Sequence, residues 1–152
     1  MAKESTSADP GKLNDALAYT IHRTARLLRY SLLQFFKRNG LDITPEQWFM
    51  LYRLWEEDKR PQFELVDPAI DDRPNITRLI DSLEKRGLVE RQGDPEDRRR
   101  FLIALTPEAH KLLKELMPKV IEERERLFGS FSDGDRRALT RILKKIEEIA
   151  IE

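Results

Sequence analysis

Apolar residues recur every three or four positions over three long stretches of the chain, which is the spacing of one helix face. The first stretch covers residues 12–38 and ends at Asn39-Gly40, a pair that commonly stops a helix. Its apolar members are Leu13, Leu17, Ile21, Leu28, Leu32, Phe35 and Phe36. The pattern predicts one long amphipathic helix.

The other two long stretches lie near the C-terminus. Thr106-Pro107-Glu108 opens the first with a capping hydroxyl, a proline suited to the first turn and an acid near the positive end of the helix dipole. Its apolar residues continue past Pro118, which should kink the helix: Leu112, Leu113, Leu116, Val120, Ile121, Leu127 and Phe128. The helical pattern is interrupted at Ser132-Asp133-Gly134. A last amphipathic helix follows, and its apolar stripe consists of Leu139, Ile142, Leu143, Ile146 and Ile149.

Shorter elements are predicted between these helices. Thr44-Pro45 can begin a second helix that runs to about residue 57, with Gln47 at the capping-box position. Ile43 and Trp48 also have the spacing of a hydrophobic staple. We expect the buried side of this helix to consist of Leu51, Tyr52 and Trp55. Residues 58–61 end this helix. A short helix interrupted by Pro68 is predicted over residues 63–70.

The segment 71–105 predicts a helix followed by a hairpin. The helix opens at residues 71–74, and its apolar stripe is Ile76, Leu79, Ile80 and Leu83. Gly87 lies where a left-handed residue ends a helix, and Leu88 can fold back onto Leu83. Two short strands are predicted over residues 88–91 and 101–105, joined by a charged turn.

Short helices followed by a hairpin are typical of a winged helix-turn-helix, whose last helix enters the major groove of DNA. The run NITRLIDSLEKRGLVERQGDPEDRRRFLIALTPEAHKLL resembles the MarR (multiple antibiotic resistance regulator) family. That family carries an Asp-x-Arg ahead of the second wing strand and a Leu-Thr before the next helix. Here these are Asp97-Arg98-Arg99 and Leu105-Thr106. The resemblance is strongest over residues 44–116, and it departs at residues 63–68, where the family has a small-residue helix.

The resemblance implies a mainly α fold with a small β-hairpin wing and dimerisation helices at both ends. We therefore expect a flexible leader over residues 1–11 and an N-terminal dimerisation helix over residues 12–43. The winged helix-turn-helix lobe is expected over residues 44–106, and C-terminal dimerisation helices over residues 107–152.

Candidate DNA-binding residues lie on the last helix of the lobe and on the wing. The candidates on that helix lie off its apolar stripe and near its N-terminal half: Arg73, Asn75, Thr77 and Arg78. The alternative interpretation is that these residues form an ordinary solvated helix face. By resemblance, Arg99 is the wing arginine, Asp97 its orienting partner and Arg98 a neighbour at the tip. Residues 73–100 hold eight basic and six acidic side chains, so charge alone indicates little.

A small-molecule pocket is implied by the resemblance, because family members often bind small aromatic anions beside the DNA-binding lobe. The candidate walls are Tyr19, His22, Trp48, Tyr52 and Trp55. An ordinary aromatic core is the alternative interpretation of these residues.

Composition excludes several classes of protein. The 152 residues include 28 basic and 28 acidic side chains and no cysteine, so disulfides, thiolate metal sites and thiol redox switches are ruled out. No apolar run is long enough for a membrane span and no signal peptide precedes the first helix, so we expect a cytoplasmic protein with no membrane partner. His22 and His110 lack neighbours at metal-ligand spacing, and no catalytic or phosphate-binding motif is present. We expect no metal, no cofactor and no enzyme activity.

These observations together predict a sequence-specific transcriptional regulator that binds a pseudo-palindromic operator in double-stranded DNA as a homodimer. A repressor that a small aromatic or anionic effector releases is the first expectation, with an activator as its alternative. A winged-helix module for protein contacts is the second hypothesis, because a fold does not fix a function. A small helical enzyme is the third.

Overall fold

Five α-helices and a small antiparallel sheet follow one another in a computed structural model that describes residues 10–152. The helices are α1 (Leu17–Arg38), α2 (Pro45–Glu56), α3 (Arg73–Lys85), α4 (Pro107–Phe128) and α5 (Asp133–Ala150). The strands are β1 (Arg60–Pro61), β2 (Val89–Gly93) and β3 (Phe101–Leu105), in the order β1-β3-β2. The predicted fold class is confirmed. Most of the predicted leader, residues 1–9, lies outside the described residues.

The chain divides into two compact units, residues 1–45 and residues 46–152. In the first unit the predicted helix over residues 12–38 begins late. A 3-10 turn, Leu13–Asp15, comes first, and Ala16 is extended before α1 starts at Leu17. Asn14 and Asp15 are short polar residues that favour turns over a helix interior, which explains the delay. The predicted stop is correct, because Gly40 has φ +70° and closes the helix.

The second unit begins with α2, whose buried face differs from the prediction. Leu51 is fully buried as expected, but Tyr52 is only half-buried and Trp55 is 36% exposed. The buried positions follow the true helical period through residues 47, 51 and 54, which places Tyr52 and Trp55 to one side. The buried Gln47 donates a 2.9 Å hydrogen bond to Ser82 Oγ, and this bond joins α2 to α3.

The helix predicted over residues 63–70 is wrong. Arg60–Pro61 instead forms β1, which pairs antiparallel with β3, and Gln62–Leu65 is a single 3-10 turn. Pro68 lacks the amide hydrogen that a helix interior uses, and it disfavours helical backbone at the residue before it. The Asp67 carboxylate accepts from the Ala69 amide at 3.0 Å, so the segment turns where a helix would have continued. We call residues 57–72 the connector.

The helix predicted to follow the connector is confirmed, and it ends as its sequence indicates. Gly87 has φ +70°, its amide donates to Glu84 O at 3.0 Å, and the Leu88 amide donates to Leu83 O at 3.0 Å. These two bonds form a Schellman motif. The first hairpin strand is Val89–Gly93 rather than residues 88–91, whereas the second agrees with its prediction. The core beneath includes Ile76, Ile80, Leu83, Val89, Ile103, Leu113 and Leu116.

Helix α4 begins at the predicted cap. The Thr106 hydroxyl accepts from the Ala109 amide at 3.1 Å and donates to Gly87 O at 2.6 Å. The helix then continues through Pro118 to Phe128. A capping box between Ser132 and Asp135 starts α5, so the predicted break is the helix start itself.

Helix α5 buries none of its residues. Its apolar stripe remains open to solvent in the single chain, with Leu139, Ile142 and Ile149 about half exposed, at 54%, 47% and 62%. Within residues 10–152, none of the helices combines the length and the apolar composition that a bilayer crossing requires.

Candidate nucleic-acid interface

The exposed N-terminal turn of α3 is fixed by its own side chains. Asp72 is extended, and its carboxylate accepts from the Asn75 amide at 2.8 Å as the helix cap. The Asn75 side-chain amide donates to the other Asp72 oxygen at 2.5 Å, and the Arg78 guanidinium donates to Asn75 Oδ1. Arg73, Asn75 and Arg78 are all exposed. The structure therefore presents three of the predicted DNA-binding side chains from one ordered turn.

Thr77, the fourth predicted residue of this helix, is half-buried and makes internal contacts. Its hydroxyl donates to Arg73 O at 3.0 Å and accepts from Gln62 Nε2 at 2.8 Å. Because the only donor of the hydroxyl is used within α3 and one of its lone pairs accepts from Gln62, Thr77 joins the connector to α3.

The wing tip is shaped by Asp97. Its Oδ1 accepts from the Arg99 amide at 3.0 Å and lies 3.4 Å from Arg99 Nε. The Arg99 side chain nevertheless remains 92% exposed, and Arg98 beside it is exposed as well. Asp97 thus orients the base of the Arg99 side chain and leaves its guanidinium in solvent.

A second aspartate holds the base of the wing, and the sequence prediction missed it. Asp94 is buried, its Oδ1 accepts from the Glu96 amide at 2.9 Å, and its Oδ2 lies 3.4 Å from Arg100 Nη2. The Arg100 guanidinium also lies over the Phe63 ring at 5.6 Å, so the wing touches the connector. The sequence predicts only a charged turn here, and the pairing of Asp94 with Arg100 depends on how the hairpin closes.

Another missed residue, Arg91, fixes the wing to the helix. From β2 it donates to Asp81 Oδ1 at 2.6 Å and to Glu84 Oε1 at 2.8 Å, and both acceptors belong to α3. Both ion pairs are partly shielded, because the Arg91 side chain is only 24% exposed.

Connector, helix and wing enclose a groove of about 500 Å³. Four arginines line it, Arg73, Arg91, Arg99 and Arg100, and no carboxylate does. Arg91 and Arg100 are held by acids behind the groove, whereas Arg73 and Arg99 reach it from the exposed helix turn and the wing tip. An anionic ligand with several charges, such as a nucleic-acid backbone, suits this lining.

The predicted pocket residues fall in both units. In the first unit, Tyr19 is half-buried and His22 exposed on α1. In the second, the rings of Trp48 and Tyr52 meet edge to face at 5.5 Å, and Trp55 lies 6.2 Å from the His110 ring. A pocket shared by all five predicted residues stays a prediction.

Sequence reasoning missed one residue of this aromatic cluster. Arg124 of α4 donates to the Tyr52 hydroxyl at 3.0 Å.

Across the described part of the chain, no three His, Asp or Glu side chains converge to hold a metal ion.

Comparison with known proteins gives the same architecture. The family model described as "MarR family" matches residues 43–101. An uncharacterised HTH-type transcriptional regulator of Bacillus subtilis, YwoH, is 31% identical over 132 residues, which are 87% of this chain and 94% of that protein.

Solved structures agree with this match. A MarR transcriptional regulator from Methanosarcina mazei is 30% identical with a TM-score of 0.69, over 88% of this chain and 95% of its own. The repressor CouR, bound to a 23-mer DNA duplex, is 28% identical with a TM-score of 0.77, over 91% and 96%. A second CouR structure, from Rhodococcus jostii, holds p-coumaroyl-CoA. The chain therefore belongs to the MarR family of transcriptional regulators.

Proposed function

We propose that this regulator binds a pseudo-palindromic operator as a homodimer, with α3 in the major groove and the wing on the adjacent backbone or minor groove. The observation that carries the proposal is the four-arginine groove between the α3 turn and the wing. Arg78 and Asn75 then contact base edges, while Arg99 enters the minor groove and Arg73 neutralises phosphate.

The geometry supports this assignment because the contact residues are already oriented. Asp72 and Asn75 hold Arg78, and Asp97 holds the base of Arg99. A preorganised side chain loses less conformational freedom when it binds. CouR, the relative bound to a DNA duplex, supports duplex DNA as the ligand.

The homodimer is supported by the uncovered apolar stripe of α5 and by the exposed apolar residues of α1. On α1, Leu17, Ile21 and Leu27 are 78%, 37% and 50% exposed. Exposed apolar area costs about 25 cal/mol for each Å², so a second copy that covers these stripes stabilises both chains.

We also propose an aromatic or anionic effector that shifts the spacing of the two recognition helices and releases DNA, so that the regulator acts as a repressor. The Trp48-Tyr52-Arg124 cluster supplies rings and a cation for such a ligand. CouR, which has been solved with p-coumaroyl-CoA, supports an effector of this kind.

On this proposal the protein acts by binding and not by catalysis, and it works in the cytoplasm, where the chromosome lies. The relatives named above are transcriptional regulators, which supports a binding role.

Selection of genomic fragments on the purified protein tests the proposal. We expect a recovered motif with two-fold symmetry and half-sites about one helical turn apart. The log of the affinity should fall steeply with the log of salt concentration. Recovery of no motif, with no salt-dependent binding to duplex DNA, would favour a protein-interaction module instead.

A further inference from the structure

The side of α5 that faces away from its apolar stripe carries a patch of positive charge. At 3.6 residues per turn, Arg137, Arg141, Lys144 and Lys145 lie across the helix from Leu139, Ile142 and Ile146. All four cations are exposed, and together with Arg136, Thr140 and Glu148 they line a shallow depression of about 700 Å³. We call these four residues the basic face.

None of the four cations of the basic face has an ion-pair partner among residues 10–152. Some arginines elsewhere are paired: Arg91 pairs with Asp81 at 2.6 Å, and Arg126 pairs with Glu123 at 2.6 Å. Even Arg136, at the margin of the depression, pairs with Asp133 at 2.8 Å. These three arginines are neutralised by acids, whereas the four cations of the basic face have no ion pair among the described residues.

The arrangement costs stability within the single chain. Arg137 and Arg141 are four residues apart, as are Arg141 and Lys145, and like charges at this spacing destabilise a helix. Glu148 lies one turn from Lys144 and Lys145, but no ion pair among the described residues offsets the repulsion between Arg137 and Arg141. A polyanion bound along the helix would do so.

The chemistry of the basic face favours a nucleic-acid backbone over a protein surface. A protein interface is built around apolar and aromatic anchors, and the residues that line this depression include none. Arg137, Arg141 and Lys145 lie one turn apart, at steps of about 6 Å, so they can neutralise a row of phosphates. Because long arginine and lysine side chains on an exposed helix face can follow the phosphates of any duplex, we expect binding that does not depend on sequence.

We propose that the basic face of α5 is a second DNA-binding surface, distinct from α3 and the wing, that holds the phosphate backbone of duplex DNA without sequence preference. The proposal rests on the proposed DNA-binding function only in its choice of duplex DNA as the polyanion. A homodimer paired through the apolar stripes then presents two such faces to operator-flanking DNA or to a second duplex.

Binding to a 60-bp duplex of random sequence, measured against salt concentration, tests the proposal. The variant replaces Arg137, Arg141 and Lys145 by glutamine. The matched control replaces Lys111, Lys114 and Lys119 of α4, which are exposed and carry the same total charge. Each lost phosphate contact lowers the slope of log affinity against log salt by about 0.9, so the triple variant should lose about 2 to 3. Its affinity at 0.1 M salt should fall at least about tenfold.

Further readouts separate this role from a structural one. The triple variant should melt at the same temperature as the wild type or higher, because glutamine removes repulsion and keeps helix propensity. A 20-bp operator without flanks should bind the variant and the wild type with the same base preference. A bridging assay separates the two sources of phosphate. If the protein captures a labelled duplex on a bead-bound one, the basic face holds a second duplex; if it does not, the phosphates belong to DNA that flanks the operator.

Two results would overturn the proposal. Equal loss in the α4 control would mean that total charge alone sets the affinity. An unchanged slope in the triple variant, together with lost binding of a labelled poly-glutamate peptide, would assign the basic face to an acidic protein. The proposed operator binding is tested separately by Arg99→Ala, which leaves the basic face intact.

Discussion

Arg91 on β2, the first wing strand, and Asp81 on α3 form an ion pair of 2.6 Å, which fixes the direction in which the wing leaves the lobe. Glu84 adds a second acceptor one turn along α3. The wing and the helix therefore present their cations as one surface.

Arg91→Gln should weaken DNA binding more than it weakens the fold. Ion pairs at the surface, even partly shielded ones, are worth about 1 kcal/mol or less to stability, but the released wing must be reoriented on DNA. Urea unfolding and gel-shift titration on the same samples measure both effects. Arg126→Gln, which breaks an ion pair within α4, is the matched control and should leave DNA affinity unchanged. Equal effects of the two substitutions on DNA binding would remove the special role of Arg91.

Arg99→Ala should reduce operator affinity and leave the fold intact, because the side chain is 92% exposed and, among residues 10–152, forms an ion pair only with Asp97. Circular dichroism checks the fold and a gel shift checks the affinity. Lys119→Ala, which removes one exposed cation from α4, serves as the control. Unchanged affinity of the Arg99 variant at moderate salt would contradict the assignment of the wing.

Arg78→Ala should relax base preference at particular operator positions by about 1 to 3 kcal/mol, because an arginine that contacts a base edge contributes that much discrimination. Affinities for a set of single-base operator variants give the measurement. Arg73→Ala, which we assign to phosphate, should lower affinity for every sequence alike. If Arg78→Ala also shows a uniform loss, Arg78 is a phosphate contact instead.

Deletion of the chain from Ser132 onward should give a poorly soluble or monomeric product that does not bind a palindromic site at physiological salt. Half-sites bound by linked subunits gain from effective concentration, and a monomer loses that gain. Sedimentation and gel shift on the same samples measure both properties. Ile142→Gln with Ile146→Gln is a milder variant that keeps α5 and should also weaken pairing. A soluble truncated monomer that binds tightly would place the dimer interface elsewhere.

The sequence predicts those parts of the fold that depend on neighbours along the chain. The Leu83-Gly87-Leu88 helix end and the Thr106 cap follow from side chains within a few residues of each other, and both are present. The strand at residues 60–61 was not predicted, because β1 exists only through its pairing with β3, where Arg60 lies opposite Ile103. A two-residue strand carries no periodic signal of its own.

The candidate interface shows the same limit. A motif located Asp97 and Arg99, whose contact is local. Arg91 and Asp94 were missed because their partners meet them only after the hairpin folds and packs against α3. Counting charges could not find these pairs, because the acids that pair with Arg91 and Arg100 cancel the arginine charges in the sum.

The Thr106 hydroxyl spans the end of α3 and the start of α4, since it bonds to Gly87 O and to the Ala109 amide. The Thr106 amide also donates to Leu88 O at 3.2 Å. Three hydrogen bonds at this one residue therefore join the C-terminal end of α3 to the first turn of α4. We therefore expect a displacement of the start of α4 to move the end of α3 with it, so that the proposed effector would shift the DNA-binding lobe as a unit.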